Sequence, residues 1–305
     1  MMTTALFFTG LTGMAFALIS IIVSRIAKDR ISFFQFFAVS NLTAAVAVWL
    51  LLSDWHLFFS GEAWGKTLLL TGMAGLVNTA SQAAFADSLK WGHNGLSVAI
   101  RNSAAMISML FSLIFLHEKI SMANFAGVLL VLLSLAVIAV FSRRNSISTN
   151  LRKWLPVTAA SMLLSGVYQI LITGTVTLPE STRRSGVVIF CLLGFGSLWN
   201  FAAAVIERKI RRDKRVLFGF DKKVWKVLFC WAAAALLQYF LLLRALSYMK
   251  DAAMTALTWP MLIGINVTVF AVFCRLKWKE KYPPATVIGM AGCVLGIILM
   301  ISGRK

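Results

Sequence analysis

Polar side chains deep inside apolar stretches are the residues of this chain best suited to bind a ligand. Apolar surroundings penalise an unpaired polar group, so each such residue faces a cavity or a bonding partner. Ser81-Gln82 superposes on Gln238-Tyr239 at a separation of 157 residues, which places two amide-bearing pairs at matching depth. We interpret the set as the lining of a polar central cavity, with an interhelical hydrogen bond as the alternative for any single member. The candidates are Asn78, Ser81, Gln82, Arg101, Asn102, Tyr168, Gln169, Trp199, Gln238, Tyr239, Trp259 and Asn266.

Arg101 is the most informative candidate because it carries a permanent charge. It lies roughly 9 Å into its apolar run, counting 1.5 Å for each residue. Three interpretations stay open. The guanidinium lines a cavity and meets a carboxylate or phosphate, it snorkels towards lipid headgroups, or it pairs with Asp87. Arg244, by contrast, lies only a few residues from the end of its run and is expected to snorkel.

The chain shows no pattern typical of catalysis or metal binding. Its four cysteines and three histidines are isolated from one another, without the CxxC or Cys/His spacing of a zinc site or a disulfide framework. The acidic residues Asp87, Glu118, Asp251 and Glu280 all lie at the ends of apolar runs. We therefore expect no enzyme, no catalytic residue, no cofactor and no metal.

Composition identifies the elements that must position the candidates. The chain has 305 residues, of which 59% are hydrophobic and 13% charged, and its mean hydropathy is +0.82. Ordinary soluble domains carry roughly 25% charged residues, so a soluble globule, a disordered chain and a secreted disulfide scaffold are excluded. Ten apolar runs have about the 20 residues that cross a bilayer, and in lipid they must be helices. The runs cover residues 4–24, 32–52, 67–86, 95–115, 122–141, 154–173, 186–206, 227–246, 252–273 and 285–301.

The net charge of +19 is concentrated in alternate loops. Loops after the odd-numbered runs carry 21 Lys and Arg, whereas the other side, with both chain ends, carries seven. This bias predicts a multi-pass protein of the inner (cytoplasmic) membrane with both termini outside. The basic run at 208–215 is interpreted as a topology determinant near anionic lipid headgroups, and no nucleic-acid partner is expected.

A short motif recurs with a constant separation of 162 residues. Glu118, followed nine residues later by Gly127, matches Glu280 followed by Gly289. The ten runs therefore form two copies of one five-helix unit. A unit with an odd number of helices inverts when it is repeated, and inverted repeats are typical of transporters with a midplane site between the halves. The predicted repeats are residues 1–145 and 146–305.

The repeated motif itself is predicted to be structural. Glu118 and Glu280 each lie beside a lysine at a run exit, where the carboxylate can accept from N–H groups at the start of the following helix. The glycines Gly127, Gly289, Gly292 and Gly296 are predicted to let the two repeats pack closely, the last pair forming a GxxxG stretch.

This pattern of ten short helices, two five-helix repeats and a Glu-to-Gly element in each half resembles the drug/metabolite transporter superfamily, EamA type. The resemblance implies an all-α membrane protein, with ten helices as two inverted five-helix repeats around a central cavity, that moves small metabolites. The chain departs from the pattern at Pro260, which has no proline partner in the fourth run.

The function predicted is transport by alternating access, with the two halves rocking about the cavity. The substrate expected is a small metabolite, an amino acid or a related zwitterion or anion, that is exported or exchanged. The first run has no acidic residue, which disfavours the proton-coupled export of lipophilic cations that small multidrug-resistance relatives perform. The alternatives are a flippase for lipid or lipid-linked substrates and a drug exporter of the same fold. Membrane lipid and the substrate are the expected partners, and the chain is a monomer or a homodimer.

Overall fold

The computed structural model describes residues 2–28, 32–51, 64–91, 94–141, 151–178, 185–211, 219–277, 279 and 283–303. These residues form helices and short turns, without a strand. The helices are α1 Met2–Lys28, α2 Phe33–Leu51, α3 Trp64–Trp91, α4 Asn94–Asn102, α5 Ala105–Phe115, α6 Met122–Phe141, α7 Leu151–Thr175, α8 Ser185–Arg211, α9 Lys222–Asp251, α10 Thr255–Lys277 and α11 Pro284–Ser302.

The helices account for the ten predicted crossings when α4 and α5 are counted as one. Eight segments of the described chain are long and apolar enough to span a membrane, and α6 contains a shorter apolar stretch, Met122–Ile138. The remaining helix, α3, is 28 residues long, is not among these segments, and contains the predicted crossing at 67–86 with the polar candidates Asn78, Ser81 and Gln82. The prediction of an all-α membrane protein is confirmed. Large apolar side chains such as Leu51, Leu133 and Ile288 point outwards, where lipid tails replace water.

The fourth crossing is broken, which differs from the single helix expected over residues 95–115. Ser103 and Ala104 form a turn between α4 and α5, closed by bonds such as Ala104 N–H to the Arg101 carbonyl, 3.1 Å, and Met106 N–H to the Ser103 carbonyl, 3.0 Å. These hydrogen bonds join residues three apart, as in a 3₁₀-helix, and tighten the chain locally. In contrast, α10 continues through Pro260, although proline removes one helical donor. The crossing without a proline is the one that breaks.

Each crossing of one sequence half packs mainly on helices of the other half, and equivalent helices of the two halves make equivalent contacts. α1 lies against α9 and α10, and its counterpart α7 lies against α3, α4 and α5. Two pairs, α2 with α8 and α6 with α11, join equivalent helices of the two halves. The largest helix contacts thus all connect one half to the other, so the halves interlock. The predicted boundary at residue 145 lies within 142–150, outside the described residues.

Counting the crossings assigns each connection to a side of the membrane. The beginning of α1, the α5–α6 connection, the α9–α10 turn and the end of α11 share one side, here called the terminal side. The beginnings of α4 and α7 lie on the opposite side. Backbone geometry repeats as the sequence does: His117 and Lys279, 162 residues apart, both have φ of 53°.

Candidate substrate site

Arg101 lies near the end of α4, and its side chain is half-buried. Its guanidinium carbon is 4.6 Å from the centre of the Phe85 ring on α3, within the range of a cation–π contact. The Tyr168 hydroxyl of α7 lies near the guanidinium. Within the described residues the guanidinium has no carboxylate partner. The guanidinium does not pair with Asp87, which accepts a hydrogen bond from the Trp91 indole, 3.3 Å, and the cavity interpretation stays a prediction.

Two tyrosines from different helices meet beside this charge. The hydroxyl oxygens of Tyr168 on α7 and Tyr239 on α9 are 3.1 Å apart and share a hydrogen bond. Both rings pack, partly buried, on one apolar cluster with Phe16 of α1 and the buried Trp259 of α10. The Trp259 indole donates to the Thr173 hydroxyl, 3.0 Å, which fixes its plane. Helices α1, α7, α9 and α10 thus supply an aromatic wall.

One face of α3 supplies the neutral polar groups of the site. Asn78, Gln82 and Phe85 are spaced at i, i+4 and i+7, so they share a face of the helix. The Gln82 amide nitrogen donates to the Asn78 side-chain oxygen, 3.4 Å. The Gln82 amide oxygen is buried and has no hydrogen-bond partner in the part of the chain that the structure describes. A buried acceptor without a donor costs about 1–3 kcal/mol, so it is a group that a ligand donor could satisfy.

Several sequence candidates instead make interhelical bonds. Ser81 and Ser161 each donate to the other's carbonyl, 3.1 and 3.2 Å, and tie α3 to α7. Gln169 accepts from Ser108 of α5, 3.0 Å. Trp199 donates to the Gly72 carbonyl, 3.1 Å, and Asn266 accepts from Ser20 of α1, 3.2 Å.

For the two remaining candidates the structure gives only their burial. Gln238 on α9 is buried, and Asn102 is partly buried at the end of α4. The structure thus brings together Asn78, Gln82, Arg101, Tyr168, Tyr239 and Trp259. Sequence reasoning missed Phe85, an apolar residue in an apolar run, although its helical spacing from Asn78 and Gln82 was the available signal.

The predicted packing glycines all lie where α6 meets α11. A Cβ on Gly127 would be 2.6 Å from the Gly296 carbonyl oxygen, and one on Gly296 would be 2.7 Å from that of Gly127. Added Cβ atoms at Gly289 and Gly292 would collide with Ile138 and Ser134. The two backbones therefore touch, as close helix packing requires.

The interpretation of Glu118 needs a correction. Its carboxylate accepts two backbone N–H bonds, but from Thr255 and Ala256 at the start of α10, and not from α6, the following helix. The reason is spatial: the α5–α6 connection and the α9–α10 turn meet on the terminal side. Its repeat, Glu280, lies outside the described residues. Pro260 lies within continuous α10, one residue after Trp259.

Chemically, this arrangement suits recognition of a small molecule. Among the described residues, it combines a cation without a carboxylate partner, an amide oxygen without a donor and aromatic surfaces, which are groups that bind. The described residues contain no group of three or more His, Cys, Asp or Glu side chains that could hold a metal ion.

Comparison with known proteins agrees with this fold. The model of the EamA-like transporter family matches residues 4–140, the first five crossings, which confirms the resemblance noted in the sequence. The fold also matches a solved structure, titled only as a crystal structure of protein, with a TM-score of 0.71 and 14% identity. That match covers 97% of this chain and 96% of the other, so the shared fold includes both halves. No curated protein matches the sequence.

Proposed function

We propose that this chain, whose residues 4–140 match the EamA-like transporter family model, is a membrane transporter that moves a small metabolite with a carboxylate, an amino acid or a close relative, through the site around Arg101. The observation that carries the proposal is the half-buried guanidinium without a carboxylate partner among the described residues. A charge inside a membrane protein is expensive and marks a pathway or a ligand. A substrate carboxylate is the partner that this charge lacks.

The contact with Phe85 supports that assignment. A planar guanidinium held at a ring keeps edge N–H donors available, and these match the two oxygens of a carboxylate. Lysine would offer a point charge without this geometry. Arg244 makes a similar ring contact with Phe240, 5.5 Å, but it is exposed on α9. Arg244 is therefore the natural comparison for Arg101.

The unpaired oxygen of Gln82 favours a zwitterion over a simple anion. Phe85, which contacts Arg101, follows Gln82 by three residues and therefore lies on a neighbouring turn of the same helix face. A substrate ammonium can donate to that oxygen while its carboxylate meets Arg101. The aromatic wall then accommodates an apolar side chain.

Transport by alternating access fits the inverted repeat, but the units that move need not be the two sequence halves. Because α1 packs on α9 and α10 while α7 packs on α3, α4 and α5, the moving units we propose are these two mixed bundles. The charge bias of the loops supports an orientation with the terminal side outside the cytoplasmic membrane, and export or exchange is the mode of transport that we propose.

The test is the thermal stability of detergent-purified protein with a panel of amino acids, matching carboxylic acids without an amine, sugar phosphates, quaternary amines and a lipid. A ligand that binds only the folded state adds about 2.7 kcal/mol to the free energy of unfolding when its concentration is 100 times its Kd. The melting temperature rises as a result. We expect an amino acid to stabilise the wild type and the Arg244→Gln control, but not Arg101→Gln. Counterflow of the same labelled compound in proteoliposomes checks transport.

Other outcomes would overturn the proposal in distinct ways. A quaternary amine that stabilises wild type and Arg101→Gln equally identifies a drug exporter. Stabilisation by lipid alone identifies a flippase. An amino acid that stabilises Arg101→Gln as well as the wild type removes Arg101 from the site.

A further inference from the structure

The Glu118 carboxylate joins the two sequence halves on the terminal side. Its Oε1 accepts from the Thr255 N–H, 2.9 Å, and its Oε2 from the Ala256 N–H, 2.7 Å. Both oxygens are thus used on one helix terminus. Glu118 belongs to the first repeat, and α10 belongs to the second.

The start of α10 needs such a partner. The first turn of a helix has N–H groups without intrahelical acceptors. Leu257 donates to the Met254 carbonyl, 3.0 Å, and Glu118 satisfies the two preceding N–H groups. A carboxylate is also favoured there by the positive end of the helix dipole.

Backbone strain concentrates at these same junctions. Among the described residues, three non-glycine residues have positive φ: His117, Ala253 and Lys279. His117 precedes Glu118, and Ala253 lies in the turn that begins α10. Lys279 repeats His117 after 162 residues. Left-handed backbone in such residues costs of order 1–3 kcal/mol and persists only where surrounding contacts enforce it, commonly in clamps and switches.

The contact also controls a wall of the substrate site. Trp259 lies four residues after Thr255, one helical turn away, so the position of the α10 start determines where Trp259 meets the tyrosines. α10 packs on α1 in one mixed bundle, while Glu118 follows α5 of the other. Movement of one bundle against the other therefore stretches this contact.

We propose that Glu118 is a latch: it holds the terminal side closed by binding the start of α10, and it releases α10 when the terminal side opens. This rests on the alternating-access part of the proposed function and on no particular substrate. Glu118 is a positioning residue, because it acts on the site through α10.

The test is amide hydrogen exchange of the full-length protein in nanodiscs without ligand, for wild type and Glu118→Gln. We expect exchange at Thr255–Trp259 to rise about tenfold, the effect of losing a charged hydrogen bond worth about 1.4 kcal/mol. A latch also shifts the population between the two open states. Exchange at 97–101, within α4 in the half of the crossing nearer the opposite side, therefore slows in the same variant.

Lys119→Gln is the matched control, because Lys119 is an exposed charge of the same connection. It should leave both segments unchanged. If Glu118→Gln does not fold, Glu118→Asp keeps the charge with a shorter reach and should show both changes at smaller size.

Faster exchange at 255–259 with no change at 97–101 would show a static cap and overturn the latch, as would unchanged exchange at both segments. Neither result bears on the substrate, since no ligand is present. If the proposed amino-acid substrate is wrong, the exchange experiment still tests the latch.

Discussion

The α6–α11 contact and the site around Arg101 use their atoms in opposite ways. At the α6–α11 contact, paired glycines bring the two backbones together, and the Asn124 side chain also donates to the Met300 carbonyl. Around Arg101, the guanidinium has no carboxylate partner and the Gln82 oxygen has no hydrogen-bond donor among the described residues. The polar groups and packing surfaces of the first region are therefore used within the fold, whereas the second region leaves polar groups that a ligand could bind. Stability and binding should respond separately to changes in the two regions.

Gly127→Ala should produce the largest loss of stability. Its Cβ would lie 2.6 Å from a backbone oxygen of α11, which cannot move as a side-chain end could. We expect a loss of about 1–3 kcal/mol, seen as a lower melting temperature in detergent. Gly10→Ala in α1 is the matched control, because nothing lies within 4 Å of its added Cβ. Equal effects of the two variants would contradict backbone contact at the α6–α11 pair.

Gln82→Met should change selectivity with little loss of stability. Methionine has a similar shape and removes a buried oxygen without a partner, so the unliganded protein should be as stable as wild type or more so, by up to about 1 kcal/mol. The preference for an amino acid over the same acid without its amine should disappear in the melting assay. Ser81→Ala should do the opposite, because it removes the hydrogen bond from the Ser81 hydroxyl to the Ser161 carbonyl, which lowers stability by about 1 kcal/mol and leaves the preference intact. A preference that survives Gln82→Met would exclude Gln82 from the site.

Tyr168→Phe should have the smallest effect of the three. It removes one neutral hydroxyl bond to Tyr239, worth about 0.5–1.5 kcal/mol, and keeps the ring of the aromatic wall. We expect ligand affinity, measured by titration of the thermal shift, to fall a few-fold. Tyr239→Phe should match it, since it removes the same bond. Tyr248→Phe is the control, because that ring stacks on Phe8 away from the tyrosine pair. A loss for Tyr168→Phe as large as that for Arg101→Gln would mean that the hydroxyl contacts the substrate itself.

Much of the fold could be predicted from the sequence because lipid imposes simple rules. Run length predicted the apolar helices, and the repeat together with the GxxxG stretch predicted the glycines that lie where α6 meets α11. Depth in a run also identified Arg101, Tyr168 and Tyr239. These signals are local, so a single sequence contains them.

Other features depend on partners far away in the chain. The amide-bearing candidates Gln82 and Gln169 look alike in sequence, yet Gln169 is bonded to Ser108 and the Gln82 oxygen is left over. Glu118 caps the start of α10 because two connections meet in space, which spacing within one half cannot reveal. The break of the fourth crossing at Ser103 rather than the ninth at Pro260 is likewise set by packing, since propensity alone favours a break at proline.

The interlocked halves have a consequence for how the protein is made. α1 is synthesised first, but α9 and α10, the helices it packs on, leave the ribosome some 200 residues later. Contacts so distant in sequence form slowly. The newly inserted first repeat therefore waits in the membrane with the faces meant for α9, α10 and α11 uncovered, and a chain that stops after α6 presents those faces to membrane quality control.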